Sequence, residues 1–112
     1  MNSETLKGHL GGMLLAILER GPRHGYSIIE SLRASSGGQF DLPTGTVYPA
    51  LHRLERAGLI HAHWDENGGR KRRVYELTAA GQRALSTERE SWHDFSAAVT
   101  TLLTPGLQTA TS

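Results

Sequence analysis

The segment 60–77 constrains the fold more than any other part of the chain. Its first half alternates apolar and polar residues over 60–65, the period of a β-strand with one buried face. Asn67, Gly68 and Gly69 follow, and these residue types accept the positive φ of a tight turn. The stretch 71–77, rich in Val and Tyr, returns as the partner strand. The segment therefore predicts a β-hairpin whose tip and outgoing strand carry Arg70, Lys71, Arg72 and Arg73.

Three helical patterns precede this hairpin. Apolar residues at steps of three and four from Leu6 predict a first helix that ends at Gly21-Pro22. A second, shorter helix starts near Gly25 or Tyr26 and ends at residues 35–38. The third is indicated by Thr44-Gly45-Thr46 as cap material and by apolar residues over 47–54, and it ends at Gly58. Because proline is tolerated in the first turn of a helix and costly deeper in it, Pro49 favours Thr46 as the cap of this third helix.

A long last helix is predicted over residues 79–103, with Thr78 as its cap. Its apolar residues are spaced by seven, three, four and three positions, which is an a/d heptad pattern that requires a partner helix. These predicted dimerisation residues are Leu85, Trp92, Phe95, Val99 and Leu102. The predicted organisation is a domain over 1–77, a dimerisation helix over 78–103 and a disordered tail over 104–112.

Size and composition limit the class of protein. A chain of 112 residues is expected to form one small domain, and self-association would supply additional buried surface. No apolar run approaches the roughly 18 to 20 residues of a membrane span, and the N-terminal sequence does not resemble a signal peptide. A cytoplasmic protein without membrane contact is therefore expected. Cysteine is absent, which excludes disulfides, thiolate zinc sites and cysteine nucleophiles.

The charge distribution points to a partner that the net charge of +1 conceals. Residues 1–51 carry four basic and four acidic groups, residues 52–75 carry six and three, and residues 76–112 carry two and four. The middle segment is therefore at +3 and the last at −2. A local basic patch of this kind is typical of a nucleic-acid-binding surface.

Three short helices, a glycine-tipped ribbon and a long terminal helix, in this order, predict a mostly α fold with a small β-hairpin, a winged helix-turn-helix. In such folds the third helix and the ribbon face DNA. A major groove about 12 Å wide admits one helix, whose outward side chains read base edges, while cations on the ribbon neutralise phosphates. The predicted DNA-binding residues are Thr46, Tyr48, His52 and Arg53 on the helix, with Arg70, Lys71 and Arg72 on the ribbon. Arg73 is expected to face its own protein.

Several motifs of the chain resemble the PadR family of bacterial transcriptional regulators. They are LKGH at 6–9, GPRHGY at 21–26, GTVYPALHRLE at 45–55, GLI at 58–60 and RVYELT at 73–78. The single terminal helix is similar to the short class of that family. The resemblance implies a homodimeric repressor that dimerises through its first and last helices and binds a near-palindromic operator. It also implies release by a small hydrophobic or phenolic effector, for which Trp92 is the candidate contact.

Other interpretations of the same residues stay open. The outer face of the third helix and the ribbon could be solvated surface, or could form a protein-interaction module that meets an acidic partner without specific DNA binding. Trp92 and Phe95 suit dimer packing better than ligand contact. His24 and Tyr26 are assigned a local structural role, and a phosphate contact by Tyr26 or Arg23 is the alternative. His61 and His63 share a strand face but have no cysteine or carboxylate cluster beside them, so no metal or cofactor is expected. No nucleophile elbow, phosphate loop or paired carboxylates indicate an enzyme.

Overall fold

The computed structural model describes residues 3–108, and within them helices precede and follow a small sheet. In chain order the elements are α1 (Ser3–Glu19), β1 (Arg23–His24), α2 (Gly25–Ser35), α3 (Thr44–Arg56), β2 (Ile60–Asp65), β3 (Arg72–Leu77), α4 (Ala79–Leu103) and α5 (Pro105–Gln108). Helix α3 follows α2 across a short loop, and the β2–β3 ribbon, residues 60–77, is the wing. This mostly helical arrangement is the predicted winged helix-turn-helix with a long helix after it.

One hydrophobic core joins the helices to the base of the wing. Helix α1 lies at its centre because its apolar residues recur on one face, and it contributes five side chains that are at most 4% exposed. Helices α2 and α3 cover this face, and Ile60 and Tyr75 close it from the sheet. The buried residues are Leu10, Leu14, Leu15, Ile17, Leu18, Ile28, Leu32, Val47, Ala50, Leu51, Ile60, Tyr75 and Leu85.

Helix α3 begins earlier than the sequence indicated. It starts at Thr44 with Pro43 as N-cap, and neither residue nor Thr46 supplies a side-chain cap. Pro49 therefore lies inside the helix. A proline there removes the N–H that would bond to the carbonyl of Gly45, but burial of Val47, Ala50 and Leu51 holds the segment helical across it. The prediction that Thr46 caps the helix was wrong because tertiary packing outweighed this local cost.

The sheet has three strands rather than the predicted two, in the order β1-β3-β2. All pairs are antiparallel, and β1 pairs Arg23 with Tyr75 and His24 with Val74. A strand of two residues has no alternation that could reveal it. Because β1 pairs with β3, the residues just before α2 are fixed to the outgoing strand of the wing.

The turn of the wing depends on glycine. Gly68 and Gly69 have φ of 69° and 77°, a left-handed conformation that costs other residues energy. The turn includes a short 3-10 segment at Asn67–Gly69, and the returning strand starts at Arg72 rather than at Lys71. Arg70 and Lys71 therefore belong to the loop at the tip of the wing.

A single residue, Thr78, connects the wing to α4. Its hydroxyl donates to the carbonyl of Gly58 at 2.7 Å and accepts the N–H of Gly81 at 3.0 Å, so the predicted cap of this helix is confirmed. The α4 bounds match the prediction as well. Gly81 and Leu85, both in the first two turns, are its buried residues, and the helix extends beyond the core.

The end of the chain differs from the predicted tail. Residues 105–108 form a helical turn, α5, where disorder was expected, because Pro105 has the φ that the first position of a helix requires. Residues 109–112 lie outside the described part of the chain. Among the helices of residues 3–108, none combines the length and the hydropathy that crossing a bilayer would require.

Candidate nucleic-acid interface

Helix α3 presents its polar stripe to solvent, on the side away from the core. Tyr48, His52 and Arg53, three of the predicted contacts, line one shallow depression together with Pro49 and Arg56. Tyr48 is 39% exposed, and His52, Arg53 and Arg56 are exposed as well. The fourth predicted residue, Thr46, is half-buried and does not line the depression.

Arg56 is the charged residue of this depression that the predicted DNA contacts did not include. It lies one helical turn beyond His52 and Arg53, so the same face-counting that selected those residues also includes it. Its addition makes the C-terminal half of the α3 face more basic.

Tyr48 also borders a second depression, between α3, the start of α2 and the wing. This cleft is basic, because three arginines of the wing line it from one side. Its lining residues are His24, Gly25, Tyr26, Tyr48, Arg70, Arg72 and Arg73. The α3 face and the wing therefore form a continuous surface with Tyr48 at the junction.

The position of the Tyr48 ring is fixed by a glycine. A Cβ at position 25 would lie 2.6 Å from Cε1 and 2.7 Å from Cζ of Tyr48, closer than real Cβ atoms approach other carbons. The ring thus packs directly on the backbone of α2. Tyr26, the next residue, is 66% exposed on the same side.

Arg72 is partly engaged with its own protein. Its guanidinium donates to Nε2 of His24 at 3.1 Å, while Nδ1 of His24 lies 3.4 Å from the N–H of Ser27 at the start of α2. A neutral imidazole has one acceptor nitrogen, so the ring satisfies one of these two donors at a time. His24 therefore has the local structural role that was predicted, between β1, α2 and the wing.

The tip of the wing is the more accessible part. Arg70 and Lys71 are exposed, and Lys71 forms a long ion pair with Glu66, with Nζ 3.9 Å from Oε1. The Lys71 side chain remains 66% exposed in that pair. An exposed pair of this length contributes little free energy, so this cation can exchange its partner at little cost.

Arg73 is turned inward, as the sequence predicted. Its Nη2 donates to Oε2 of Glu55 on α3 at 2.9 Å, and its guanidinium carbon lies 5.4 Å from the ring centre of Trp64. The ion pair therefore joins the wing to the helix beside it.

The described part of α4 divides at about its middle. Leu85, a predicted dimerisation residue, is 2% exposed and packs in the core of its own chain, so it is not on a free face. Trp92, Phe95 and Leu102 are 50, 60 and 72% exposed, and Val99 is half-buried. The Trp92 and Phe95 rings lie 6.1 Å apart. Trp92, Phe95, Val99 and Leu102 thus form an apolar stripe on the second half of α4.

An apolar pocket of about 310 Å³ lies between α1 and α4, below Phe40. Trp92 forms part of its wall and meets the ring of His9 edge-on, with centroids 4.9 Å apart. The Nδ1 atom of His9 is 4.0 Å from Glu88 Oε1. Met13, Ala16 and Leu85 contribute aliphatic surface to the walls, and Glu88 and Arg89 also line the pocket.

A charged contact closes the end of this α1–α4 pair. Glu19 on α1 accepts from both terminal nitrogens of Arg89, at 2.7 and 3.0 Å, and from Gln82 at 3.0 Å. These donors, Arg89 first, lower the pKa of Glu19 from 4.5 to about 2. The carboxylate is therefore charged, and Arg89 engaged, over the whole physiological range of pH.

His61 and His63 lie stacked on the exposed face of β2, with ring centres 6.0 Å apart. Residues 3–108 contain no group of three or more side chains suited to hold a metal ion.

The chain resembles known transcriptional regulators in sequence. The family model described as the Transcriptional regulator PadR-like family matches residues 14–87. Transcriptional regulator Rv3488 of Mycobacterium tuberculosis is 49% identical over 47 residues, which are 42% of this chain and 44% of that protein. Transcriptional regulator YqjI of Escherichia coli is 34% identical over 83 residues, 74% of this chain but 39% of that longer protein.

Solved structures agree with the family match. A PadR-like transcriptional regulator from Bacillus cereus is 30% identical, with a TM-score of 0.80 over 91% of this chain and 98% of that one. A PadR family transcriptional regulator from Eggerthella lenta is 35% identical, with a TM-score of 0.78 over 90 and 87% of the two chains. These relatives are regulators rather than enzymes, and the match covers both the core and the wing. The chain belongs to the PadR-like family of transcriptional regulators.

Proposed function

We propose that this regulator is a homodimeric repressor that binds a near-palindromic DNA operator through α3 and the wing, and that a small hydrophobic compound releases it. The observation that carries the proposal is the continuous surface around Tyr48, which borders both the α3 depression and the cleft of the wing. Arg53 and Arg56 lie on one side of Tyr48, and Arg70 and Arg72 on the other.

The dimensions of this surface suit duplex DNA. Helix α3 has 13 residues, or about 20 Å of helix, and an α-helix fits a major groove about 12 Å wide. Tyr48, His52 and Arg53 would then face base edges or the adjoining phosphates. Arg70, Lys71 and Arg72 of the wing would contact the phosphate backbone beside them, a contribution that is mostly independent of sequence.

Dimerisation is supported by the second half of α4. Trp92, Phe95 and Leu102 are large apolar residues that stay at least half exposed in the single chain, in the heptad spacing of paired helices. Leu103 beside them is 76% exposed. A second copy of α4 would cover this stripe, and two symmetric heads would then match the two halves of a palindrome.

The pocket between α1 and α4 supports a role for an effector. Its volume of about 310 Å³ is at the lower end of the roughly 300 to 1,000 Å³ of small-molecule sites. Trp92 belongs both to its wall and to the exposed stripe. A compound in the pocket would therefore act on the residues that are proposed to join the two subunits.

A mobility-shift titration tests DNA binding directly. Duplexes would be selected from random DNA with the purified protein, and the winning sequence compared with a scrambled one at several salt concentrations. We expect a sequence-dependent complex. Absence of any preference, together with binding to an acidic protein, would favour the protein-interaction module instead.

The wing has its own test in Lys71→Gln. Loss of one phosphate contact should weaken specific and scrambled DNA alike and reduce the slope of log K against log salt by about 0.9. Arg83→Gln is the matched control, because Arg83 is exposed on α4 and lines neither depression. An equal change in the slope for both variants would mean that Lys71 does not contact phosphate.

A further inference from the structure

Glu55 is an acidic residue at the place where the proposed function requires positive charge. It lies on α3 between Arg53 and Arg56, which face the first depression. A free carboxylate here would repel phosphates at close range and weaken DNA binding. Glu55 itself lines neither depression, so its place beside the interface points to a role other than contact with DNA.

Glu55 forms an ion pair with an arginine of the wing. Its side chain is 28% exposed and accepts from Arg73 of β3 at 2.9 Å, across 18 positions of sequence. Arg73 is 38% exposed in the pair. Charge-assisted hydrogen bonds of this length are among the stronger polar contacts, and this one joins two elements that no turn connects directly.

The third member is Trp64 on β2. It is the cross-strand partner of Arg73 in the β2–β3 register, and the guanidinium lies 5.4 Å from its ring centre. The edge of the Arg73 guanidinium thus contacts a carboxylate, and one of its faces lies over an aromatic ring. These contacts restrain Arg73 from binding a phosphate, whereas the three preceding cations, Arg70, Lys71 and Arg72, are exposed to solvent.

Tyr75 completes the surroundings of Arg73. It is 6% exposed, and burial raises its pKa while the charge of Arg73 acts in the opposite direction. The charges of Tyr48 and Glu55 raise the pKa of Tyr75 further.

We propose that Glu55 and Arg73 are positioning residues, which fix the angle between the wing and α3 and make no contact with phosphate themselves. The proposal rests on DNA binding through these two elements. Their ion pair orients Arg70, Lys71 and Arg72 relative to Tyr48 and Arg53, so that the helix and the wing meet the same duplex.

The near-isosteric variant Glu55→Gln separates positioning from simple charge. Loss of a negative charge alone would strengthen binding to every duplex. A positioning role predicts the opposite for the selected operator: its affinity relative to scrambled DNA falls by about tenfold, while scrambled DNA is bound as well as before or better. Equal strengthening for both duplexes would overturn the proposal.

Arg73→Gln tests the other partner. We expect the same loss of preference for the operator. The slope of log K against log salt should stay within about 0.3 of the wild-type value, whereas loss of a phosphate contact would lower that slope by about 0.9. A reduction of that size, equal for the operator and scrambled DNA, would make Arg73 a phosphate ligand and contradict the proposal. The double variant Glu55→Arg with Arg73→Glu keeps the net charge and exchanges the two partners. It should recover at least half of the binding free energy by which the wild type prefers the operator over scrambled DNA and which the single variants lose. No recovery would count against the pair.

A measurement without DNA tests the contact of Glu55 with Arg73 even if the proposed function fails. The chain has two tryptophans, and Trp92→Phe identifies the indole N–H resonance of Trp64 in a ¹H–¹⁵N spectrum. Glu55→Gln should shift this resonance while the core methyl resonances stay in place. An unmoved Trp64 resonance would show that Glu55 does not hold Arg73 over the ring in solution.

Discussion

Replacing Gly25 by alanine would displace the central residue of the proposed interface while leaving the core intact. The added methyl group would lie 2.6 to 2.7 Å from two ring carbons of Tyr48. Carbon atoms in good contact are about 3.5 to 4.0 Å apart, so the ring must retreat by about 1 Å. Tyr48 is 39% exposed, so it has open space to turn into.

The cost to folding should be small. Gly25 is the first residue of α2, and alanine is favoured over glycine in helices by at most about 1 kcal/mol. This gain partly offsets the displacement of the ring, so we expect a free energy of unfolding within about 1 kcal/mol of the wild type. Affinity for the operator should fall more, because a lost base-edge contact costs about 1 to 3 kcal/mol, or roughly 5- to 150-fold.

A double-mutant cycle isolates the mechanism. Gly25→Ala, Tyr48→Ala and the combined variant would be titrated against the selected operator, with urea unfolding measured in parallel. If alanine at position 25 acts through the ring, it has no further effect once Tyr48 is shortened. Gly8→Ala is the control, since a Cβ at position 8 of α1 would meet no atom within 4 Å.

Two results would refute this reasoning. Wild-type affinity in Gly25→Ala would mean that the ring position is irrelevant to DNA binding. Additive losses in the combined variant would mean that alanine acts through the α2 backbone instead.

Three further predictions concern the rest of the chain. Phe95→Glu should convert a dimer into a monomer of 12.2 kDa in sedimentation experiments, and an unchanged mass would contradict the proposed α4 interface. The lowered pKa of Glu19 contributes stability that is complete above pH 4.5 and lost as the pH falls toward 2. Urea unfolding should therefore show that the wild type is more stable than Arg89→Gln above pH 4.5 and that this difference vanishes toward pH 2. A difference that stays constant with pH would refute the assignment. Gly81→Ala should destabilise the fold by about 2 kcal/mol or more in the same assay, because its Cβ would clash with the Leu59 carbonyl; wild-type stability would refute this.

Long periodic elements were predictable from the sequence and short or context-dependent ones were not. The bounds of α4 and β2 follow directly from their apolar spacing, which packing reinforces. The two-residue strand β1 has no periodicity, and its existence depends on hydrogen bonds to residues about 50 positions away. The start of α3 was misplaced because a proline rule is local, whereas burial of its next turn is a tertiary effect.

The same distinction holds for the candidate site. Outward residues of α3 and the wing could be named from spacing and charge, and the inward direction of Arg73 was predicted. Leu85 was assigned to the dimerisation stripe because a heptad pattern does not show which element packs against each apolar position. In the structure Leu85 belongs to the core of its own chain, together with residues of α1. The Gly25–Tyr48 and Glu55–Arg73 contacts join separate elements, so no local pattern could reveal them.

Because a single residue, Thr78, connects them, the wing and α4 are expected to move as one rigid unit. Strand β3 ends at Leu77 and α4 starts at Ala79, so no flexible loop absorbs a tilt of the helix. A rotation of 10° about one end of this 25-residue helix, about 37 Å long, displaces the other end by about 6 Å. That distance is half the width of a major groove, about 12 Å. In the proposed dimer, small changes in the angle between the two α4 helices would thus change the separation of the two DNA-binding heads. The heads would then no longer match successive turns of the duplex.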